Sequence, residues 1–292
     1  MAKILITIPH YYRQQATGAY ASERTSEKAR AAVVANAIGS LWANLAGRTM
    51  IVETKSGALV AGPERHEADI RIVTTGSDHL VASLQATIPL FRHVSTAIAN
   101  PRLLGFECHR ILAAEIENFD WFAYLEDDLI LHDPLLIQKL DWFNRQFDGP
   151  NLLQLNRYEA GLGYSRFYID GPGRWKQLWS VPSPQTLEAE FLGRPLRFEL
   201  ASNPHSGCFF LTRAQMRLWM RMPVFLDGDT SFVGPLESAA SLGVYKAFRV
   251  YKTAAPHYDF VEIRHAGNRY LQSALAKRSQ ARSLPRSAVR ET

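Results

Sequence analysis

The chain begins with an apolar run at residues 4–8 that ends at Pro9, a pattern typical of a buried strand. Apolar residues then recur at helical spacing through residues 34–45, and Gly47 is placed to end that helix. Similar patterns continue, so the first half is predicted to run strand, helix, strand, strand, helix, strand. The strands are predicted at residues 3–8, 49–54, 68–76 and 121–126, and the helices at 26–47 and 101–119.

This alternation favours an α/β fold, a single Rossmann-like domain with a mostly parallel central sheet flanked by helices. Asp133 and Pro134 are suited to start a further helix at residues 135–147. The second half is more mixed, and no repeat or strong linker divides the chain. It is predicted to contain strands at residues 151–155, 207–212 and 245–252, a helix at 213–222, and a Gly-, Pro- and Trp-rich loop at 168–185.

Composition is that of a globular protein, since 292 residues with 47% hydrophobic content can bury a sizeable core. Two cysteines, Cys108 and Cys208, exclude a disulfide framework and favour a reducing compartment, although a single bridge stays open. No apolar run is long enough to span a membrane, and the first residues lack the pattern of a signal peptide. We therefore expect a cytoplasmic protein.

The net charge of +5 is concentrated near the end of the chain. Residues 277–291 carry five basic side chains against one acidic side chain, so four of the excess positive charges lie there. The rest of the chain is nearly neutral, and no nucleic-acid partner is expected. We predict one domain over residues 1–275 and a disordered basic tail over 276–292, which either contacts anionic lipid weakly at the membrane periphery or is simply solvated.

Three consecutive carboxylates, Glu126, Asp127 and Asp128, interrupt the apolar stretch at residues 119–134. In an extended strand Glu126 and Asp128 would share one face, where they would repel each other unless a proton or cation lay between them. Hard oxygen ligands suit Mg²⁺ or Mn²⁺, and the end of a sheet strand is where ligands bind in α/β folds. The alternative is a solvated turn that caps the next helix, but Asp133 already supplies a cap.

The segment "YLEDDLIL" resembles the Asp-x-Asp motif of the GT-A-fold glycosyltransferases, in a Glu-Asp-Asp variant. The resemblance covers residues 3–12 and 102–270 and is specific mainly at the acidic triplet. It implies a GT-A-like domain that transfers a sugar from a nucleotide-sugar donor, such as a UDP- or GDP-sugar, to a hydroxyl of a sugar or glycan acceptor. It also implies that Asp128 ligates Mn²⁺ or Mg²⁺, that Glu126 lies near the ribose or the metal-bound waters, and that Asp127 belongs to the same site.

The resemblance also implies a histidine ligand near the end of the domain. His265, in a His-x-Gly sequence, is the first candidate and His257 the second, while an ordinary core or surface histidine is the alternative for each. Arg102 and Arg110 could stabilise the charge that grows on the leaving diphosphate, or could simply lie on an exposed helix face.

The segment "FVGPLESAASLGVYKAFRVYK" resembles the part of inverting family members that holds the catalytic base. Glu237 is the matching acid, while Ser238 replaces the second acid of the pair. A carboxylate base would deprotonate the acceptor hydroxyl. Glu237 could instead be a first-turn acid favoured by the helix dipole, and Asp227 and Asp229 are the substitutes for the base.

The end of the first strand, "TIPHYY", is similar to the place where family members hold the nucleotide base. The resemblance implies that Pro9 borders this site, that Tyr11 or Tyr12 stacks on the base, and that Glu53 bonds the base or ribose. For either tyrosine the alternative is a half-buried packing residue. Trp175 and Trp179 could form a platform for a sugar acceptor or pin their own loop.

Three other functions are alternatives to the transferase. A hydrolase built on His205, Ser206 and Cys208 is disfavoured, because "HSGC" precedes a strand rather than a strand-to-helix elbow. A metal-dependent phosphoesterase would use the same acids but needs more His and Asp ligands for a second metal. A non-catalytic nucleotide-sugar-binding relative is the third alternative, and Ser238 is the residue that supports it.

Overall fold

The computed structural model describes residues 1–14, 24–63, 65–147, 149–161, 163, 165–171 and 184–283. The helices are α1 (Glu27–Leu41), α2 (Val81–Thr87), α3 (Leu104–Ala114), α4 (Leu136–Gln146), α5 (Arg213–Met220), α6 (Pro235–Glu237), α7 (Gly243–Ala247) and α8 (Arg269–Ser283). The strands are β1 (Lys3–Pro9), β2 (Met50–Val52), β3 (Leu59–Ala61), β4 (Glu67–Thr75), β5 (Arg92–Thr96), β6 (Trp121–Leu125), β7 (Leu129–Ile130), β8 (Asn151–Leu153), β9 (Asn156–Ala160), β10 (Arg166–Tyr168), β11 (Thr186–Phe191), β12 (Arg194–Leu200), β13 (Cys208–Thr212), β14 (Arg249–Thr253) and β15 (Glu262–His265).

A five-stranded sheet in the order β13-β6-β1-β4-β5 forms the centre of the fold. β1 pairs in parallel with β4 and β6, β4 pairs in parallel with β5, and only β13 runs antiparallel. β6 is buried along its whole length, as expected for a parallel strand covered on both faces. The predicted α/β class and the mostly parallel central sheet are confirmed.

Helices cover both faces of this sheet. α1 packs Val34 and Ile38 into the core on one face, which includes Ile4 and Ile6 of β1. α3 packs on the other face, where Leu5 of β1 is buried. Because successive side chains of a strand point to opposite faces, the apolar run of β1 supplies both cores.

Two further sheets make up the second half of the chain, β10-β9-β15-β7 and β11-β12-β14-β8. β15 pairs in parallel with β9 and antiparallel with β7, which directly follows the acidic triplet. In this register His265 lies opposite Leu129. The mixed second half is confirmed, and its pairing brings the end of the domain beside residues 126–128.

Several predicted elements differ from the structure. Residues 49–54 do not enter the central sheet, because β2 pairs with β3 in a hairpin that leaves Ile51 and Val52 exposed. The helix predicted at 101–119 begins as a 3₁₀ turn at Pro101–Leu103 and continues as α3, which ends at Ala114. The strand predicted at 245–252 begins within helix α7, since a short apolar run fits either a helix or a strand.

The end of the described chain also differs from its prediction. α8 extends to Ser283, past residue 276, where the disordered tail was predicted to start, while residues 284–292 lie outside the described ranges. Trp175 and Trp179 lie outside them as well.

The two cysteines, Cys108 and Cys208, are buried free thiols. Within the described residues, no helix combines the length and the apolar character needed to cross a membrane.

Candidate active site

A pocket of about 650 Å³ lies at the carboxyl edge of β1 and β6, where ligands bind in α/β sheets. Its walls also include the first turn of α8 and the segment around α6. Charged and imidazole side chains dominate its polar lining. These are the carboxylates Glu126, Asp127, Asp128 and Glu237, the guanidinium groups Arg24, Arg30, Arg102, Arg157 and Arg269, and the imidazoles His205 and His265.

The acidic triplet forms a turn rather than the end of an extended strand. The Glu126 N–H donates to the Gly207 carbonyl at 2.9 Å, and the Leu129 N–H donates to the Glu126 carbonyl at 3.3 Å. The backbone therefore leaves β6 at Leu125 and turns toward β7. The predicted alternation of faces does not apply to such a turn, and all three carboxylates line the pocket.

Asp127 is held by partners on other elements. His10 Nε2 accepts from the Leu80 N–H at 3.1 Å, so Nδ1 carries the hydrogen and donates to Asp127 Oδ2 at 2.6 Å. The Arg30 guanidinium donates to the other oxygen. Burial alone would raise the pKa of Asp127, but Arg30 and His10 hold it below its usual value. Both oxygens of Asp127 therefore accept hydrogen bonds from protein side chains. These bonds connect the ends of β1 and β6 to α1.

Glu126 faces a different environment. Its Oε2 lies 3.4 Å from Arg157 Nη1, and Gly207 leaves room for it, because a Cβ at Gly207 would come within 2.5 Å of that oxygen. Gly207 also has a φ of +65°, which favours glycine. Burial raises the pKa of Glu126 to about 8, an effect that Arg157 offsets only in part. Glu126 is therefore more readily protonated than a solvated glutamate.

Without metal, we expect the unfolding free energy of the Glu126→Gln variant to depend less on pH than that of the wild type. A folded pKa near 8, above the unfolded value of about 4.3, favours folding while Glu126 is protonated, and this contribution is lost as pH rises through 8. Relative to the variant, the wild type should lose on the order of 3 kcal/mol of unfolding free energy between pH 5 and pH 8. Urea unfolding at both pH values measures the difference. The exposed Glu117→Gln variant is the control, and pH profiles of wild type and Glu126→Gln that run parallel would contradict the prediction.

Asp128 and His265 offer two donor atoms toward the same space. Asp128 Oδ1 is buried and has no hydrogen-bond partner among the described residues. Asp128 Oδ2 lies 3.7 Å from His265 Nε2. The Ala266 N–H donates to the Asp128 carbonyl at 2.8 Å, which fixes the two residues relative to each other.

Asp128 and His265 could supply part of the coordination that Mg²⁺ or Mn²⁺ requires. Such ions accept a carboxylate oxygen or an imidazole nitrogen and complete six-fold coordination with waters and phosphate oxygens. Within the described chain, however, no three His, Cys, Asp or Glu side chains converge as a ligand cluster. Of the four predicted ligands, Glu126 faces Arg157. His257 lies on the 3₁₀ turn Ala255–His257, outside the pocket lining. Of these predicted ligands, Asp128 and His265 are the pair that the structure brings together, with Oδ2 and Nε2 3.7 Å apart.

The residues predicted for nucleotide binding divide into two groups. Pro9, Tyr11 and Arg102 line the pocket, and the Tyr11 hydroxyl donates to Asp78 at 3.1 Å. Tyr12 instead packs in the core and donates to the Thr25 carbonyl at 2.8 Å.

Other predicted residues lie away from the pocket lining. Glu53 lies in the exposed β2–β3 hairpin, where its carboxylate accepts from Ser56, because β2 is not part of the central sheet. Arg110 points away on α3 and pairs with Glu107 at 3.1 Å.

The candidates for a catalytic base also separate. Glu237 lines the pocket from α6. Asp229 lies outside the lining, where Lys246 Nζ binds it at 2.5 Å and Asp227 at 2.7 Å. Side-chain bonds to Lys246 and Ser231 lower the pKa of Asp229 to about 2, so it is a poor proton acceptor at neutral pH. Glu237 is thus the candidate base that the structure brings to the pocket.

Sequence reasoning missed several residues of this site. Arg30, Arg157, His205 and Tyr270 line the pocket, and each is supplied by a different part of the chain. His10, the buried partner of Asp127, did carry a local signal. It directly follows the first strand, at the sheet edge where a site was expected. The others carry no local motif, because their partners are distant in sequence.

The sequence matches no protein-family model, and a search of curated proteins gives no match. The function must therefore be argued from the pocket itself.

Proposed function

We propose that this protein is a cytoplasmic, metal-dependent glycosyltransferase that moves a sugar from a nucleotide-diphosphate donor to an acceptor hydroxyl. The observation that carries the proposal is the composition of the pocket. Its lining joins Asp128 and His265, which together can bind a divalent cation, to several guanidinium groups at the carboxyl edge of a mostly parallel sheet. A polyanionic ligand that brings oxygen atoms to a divalent ion fits this combination.

The arginines suit the charge of such a donor. A nucleoside diphosphate leaves with increased negative charge, and guanidinium groups bind phosphate oxygens in a fixed, bidentate geometry. Arg30 lines the same pocket, with Nη1 3.5 Å from Asp128 Oδ2. It can therefore stabilise a phosphate near Asp128 without moving far. A bound Mg²⁺ or Mn²⁺ would supply Lewis-acid stabilisation of the same charge.

The acceptor end of the proposed reaction is assigned to Glu237. It lines the pocket from α6, whereas His265 and Tyr270 line it from β15 and α8. A carboxylate there can accept the proton of an attacking hydroxyl if the reaction inverts the anomeric centre. If the configuration is retained, this base is not needed.

Nucleotide titration tests the proposal directly. We expect the melting temperature to rise only when Mn²⁺ and one of UDP, GDP or CDP are both present, because the ion and the phosphates complete each other's coordination. At about 100 times the dissociation constant, ligand binding stabilises a protein by about 2.7 kcal/mol, which raises the melting temperature of a chain of this size by roughly 4–5 °C. Differential scanning fluorimetry measures the shift.

The matched control is the corresponding nucleoside, which has the same base and ribose but no phosphate. Stabilisation by the nucleoside with Mn²⁺ to the same extent would contradict a diphosphate site. If no nucleotide shifts the melting temperature with or without Mn²⁺, the transferase proposal is wrong. Stabilisation by Mn²⁺ alone, together with release of phosphate from phosphoesters, would favour the phosphoesterase.

A further inference from the structure

Glu159 of β9 is a fully buried carboxylate behind the pocket wall, with 0% of its surface exposed. Its Oε1 lies 3.0 Å from His265 Nδ1 and accepts from the Tyr270 N–H at 3.2 Å. Its Oε2 accepts from the Leu271 N–H at 2.6 Å. One side chain thus contacts both a candidate cation ligand and the first turn of α8.

These contacts determine which nitrogen of His265 carries the hydrogen. Backbone N–H groups can only donate, so an ionised Glu159 accepts at both oxygens, and Nδ1 of His265 donates to its Oε1. In the neutral ring, Nε2 then presents a lone pair toward Asp128 Oδ2, 3.7 Å away. Two electron-rich atoms that face each other favour a cation between them. A carboxylate that fixes a histidine in this way is a common support for metal-binding imidazoles.

The same carboxylate fixes the first turn of α8 against the pocket. Unpaired N–H groups at a helix start need acceptors, and a negative charge there is favourable. The Tyr270 ring, which lines the pocket, packs against the His265 ring with centroids 5.5 Å apart. The Arg157 guanidinium carbon lies 5.7 Å from the centroid of the same Tyr270 ring. The position of this wall therefore depends on Glu159.

We propose that Glu159 is a positioning residue. It sets the His265 tautomer in which Nε2 can bind a divalent cation, and it holds the first turn of α8 as a wall of the same pocket. The identity of the cation rests on the proposed function, while the tautomer and the position of α8 do not.

The Glu159→Gln variant tests this role, because an amide has one acceptor oxygen and a donor group in place of two acceptors. An amide that donates to His265 Nδ1 moves the ring hydrogen to Nε2. We expect ¹⁵N NMR of the metal-free variant to show the Nε2–H tautomer, and amide exchange at Tyr270 and Leu271 to be faster. Mn²⁺ affinity without nucleotide, measured by electron paramagnetic resonance of the free ion, should fall about 10–100-fold.

Glu262→Gln is the matched control. Glu262 lies on the same strand as His265, and its carboxylate binds Tyr168 at 2.7 Å and Arg166 at 3.2 Å, away from α8. This variant should keep the wild-type tautomer and Mn²⁺ affinity. The His265→Asn variant identifies the imidazole signal.

The outcomes separate this inference from the proposed function. If wild-type His265 already carries its hydrogen on Nε2, the inference is wrong, whether or not Glu159→Gln folds. It is also wrong if the variant keeps the wild-type tautomer, amide exchange and Mn²⁺ affinity. If the wild type binds no Mn²⁺ but Glu159→Gln still reverses the tautomer and frees α8, the positioning role stands and the metal-dependent transferase fails.

Discussion

Replacing Asp128 by Asn is expected to abolish the Mn²⁺-dependent stabilisation by nucleotide while leaving the melting temperature of the unliganded protein nearly unchanged. The unliganded fold gains little from this carboxylate. Its Oδ1 has no partner among the described residues, and Oδ2 makes only long contacts, 3.5 Å to Arg30 and 3.7 Å to His265. A bound cation, in contrast, needs the anionic oxygen, which an amide does not supply.

The expected loss of Mn²⁺ affinity is on the order of 100-fold or more, since removal of an outer-shell partner alone costs about 10–100-fold. Isothermal titration with Mn²⁺ and the active nucleotide measures it.

Asp259→Asn, at an exposed ion pair with Arg194, controls for the chemical change from carboxylate to amide. Asp127→Asn provides a contrast, because its buried pairing with His10 and Arg30 should make it destabilising without ligand. If Asp128→Asn keeps the wild-type shift, the site is wrongly placed.

Much of the pocket could be predicted because it lies where apolar strands end. β1 and β6 are short buried runs with clear boundaries, and the residues that follow parallel strands meet at one edge of a sheet. That reasoning found Pro9, Asp128 and the acids beside it without any contact information. A helix-strand pattern alone also sufficed for the α/β class.

The partners of these residues could not be predicted in the same way. Arg30 meets Asp127 across 97 positions of sequence, and Glu159 meets Leu271 across 112. Nothing local distinguishes an arginine in the first turn of a helix from any solvated one. The partners of Asp127 and Glu126 could not be predicted for the same reason, since the arginine beside each carboxylate comes from a distant part of the chain.

The prediction for β2 was correct about the strand but wrong about the sheet to which it belongs. Its apolar residues suit a buried strand, and Glu53 would then lie at the edge of the sheet near the pocket. The structure instead pairs β2 with β3 across a turn that contains Gly57, which has a φ of +70°. Strand pairing is a tertiary property, so apolar patterning located a strand but not its neighbour.

Arg157 is expected to be the most sensitive position for stability among the residues of the pocket. Only 3% of its side chain is exposed, and it donates to Asp170 through Nε at 3.0 Å and Nη2 at 2.8 Å. Burial alone would lower the pKa of Arg157, but Asp170 and Glu126 raise it above its usual value. Burial likewise would raise the pKa of Asp170, but Arg157 and Lys252 hold it below its usual value. The two residues therefore stabilise each other's charge.

The Arg157→Met variant should be destabilised by about 3–5 kcal/mol, because it leaves a buried carboxylate without its main partner. For Asp170, the remaining cation is Lys252, whose Nζ lies 3.7 Å away and also donates to the His205 carbonyl at 2.6 Å. Urea unfolding at pH 7 measures the change as a lower midpoint. An unchanged slope would show that both proteins unfold to similarly exposed states.

Two comparisons give this prediction its specificity. Arg166→Met removes an arginine that is 52% exposed and pairs with Glu262, so its effect should stay within about 1 kcal/mol. The double variant Arg157→Met with Asp170→Asn should recover part of the loss, because it removes the uncompensated negative charge along with its partner. If Arg157→Met is as mild as Arg166→Met, the charge of Asp170 is compensated by Lys252 alone. Arg157 would then serve ligand binding rather than the stability of the fold.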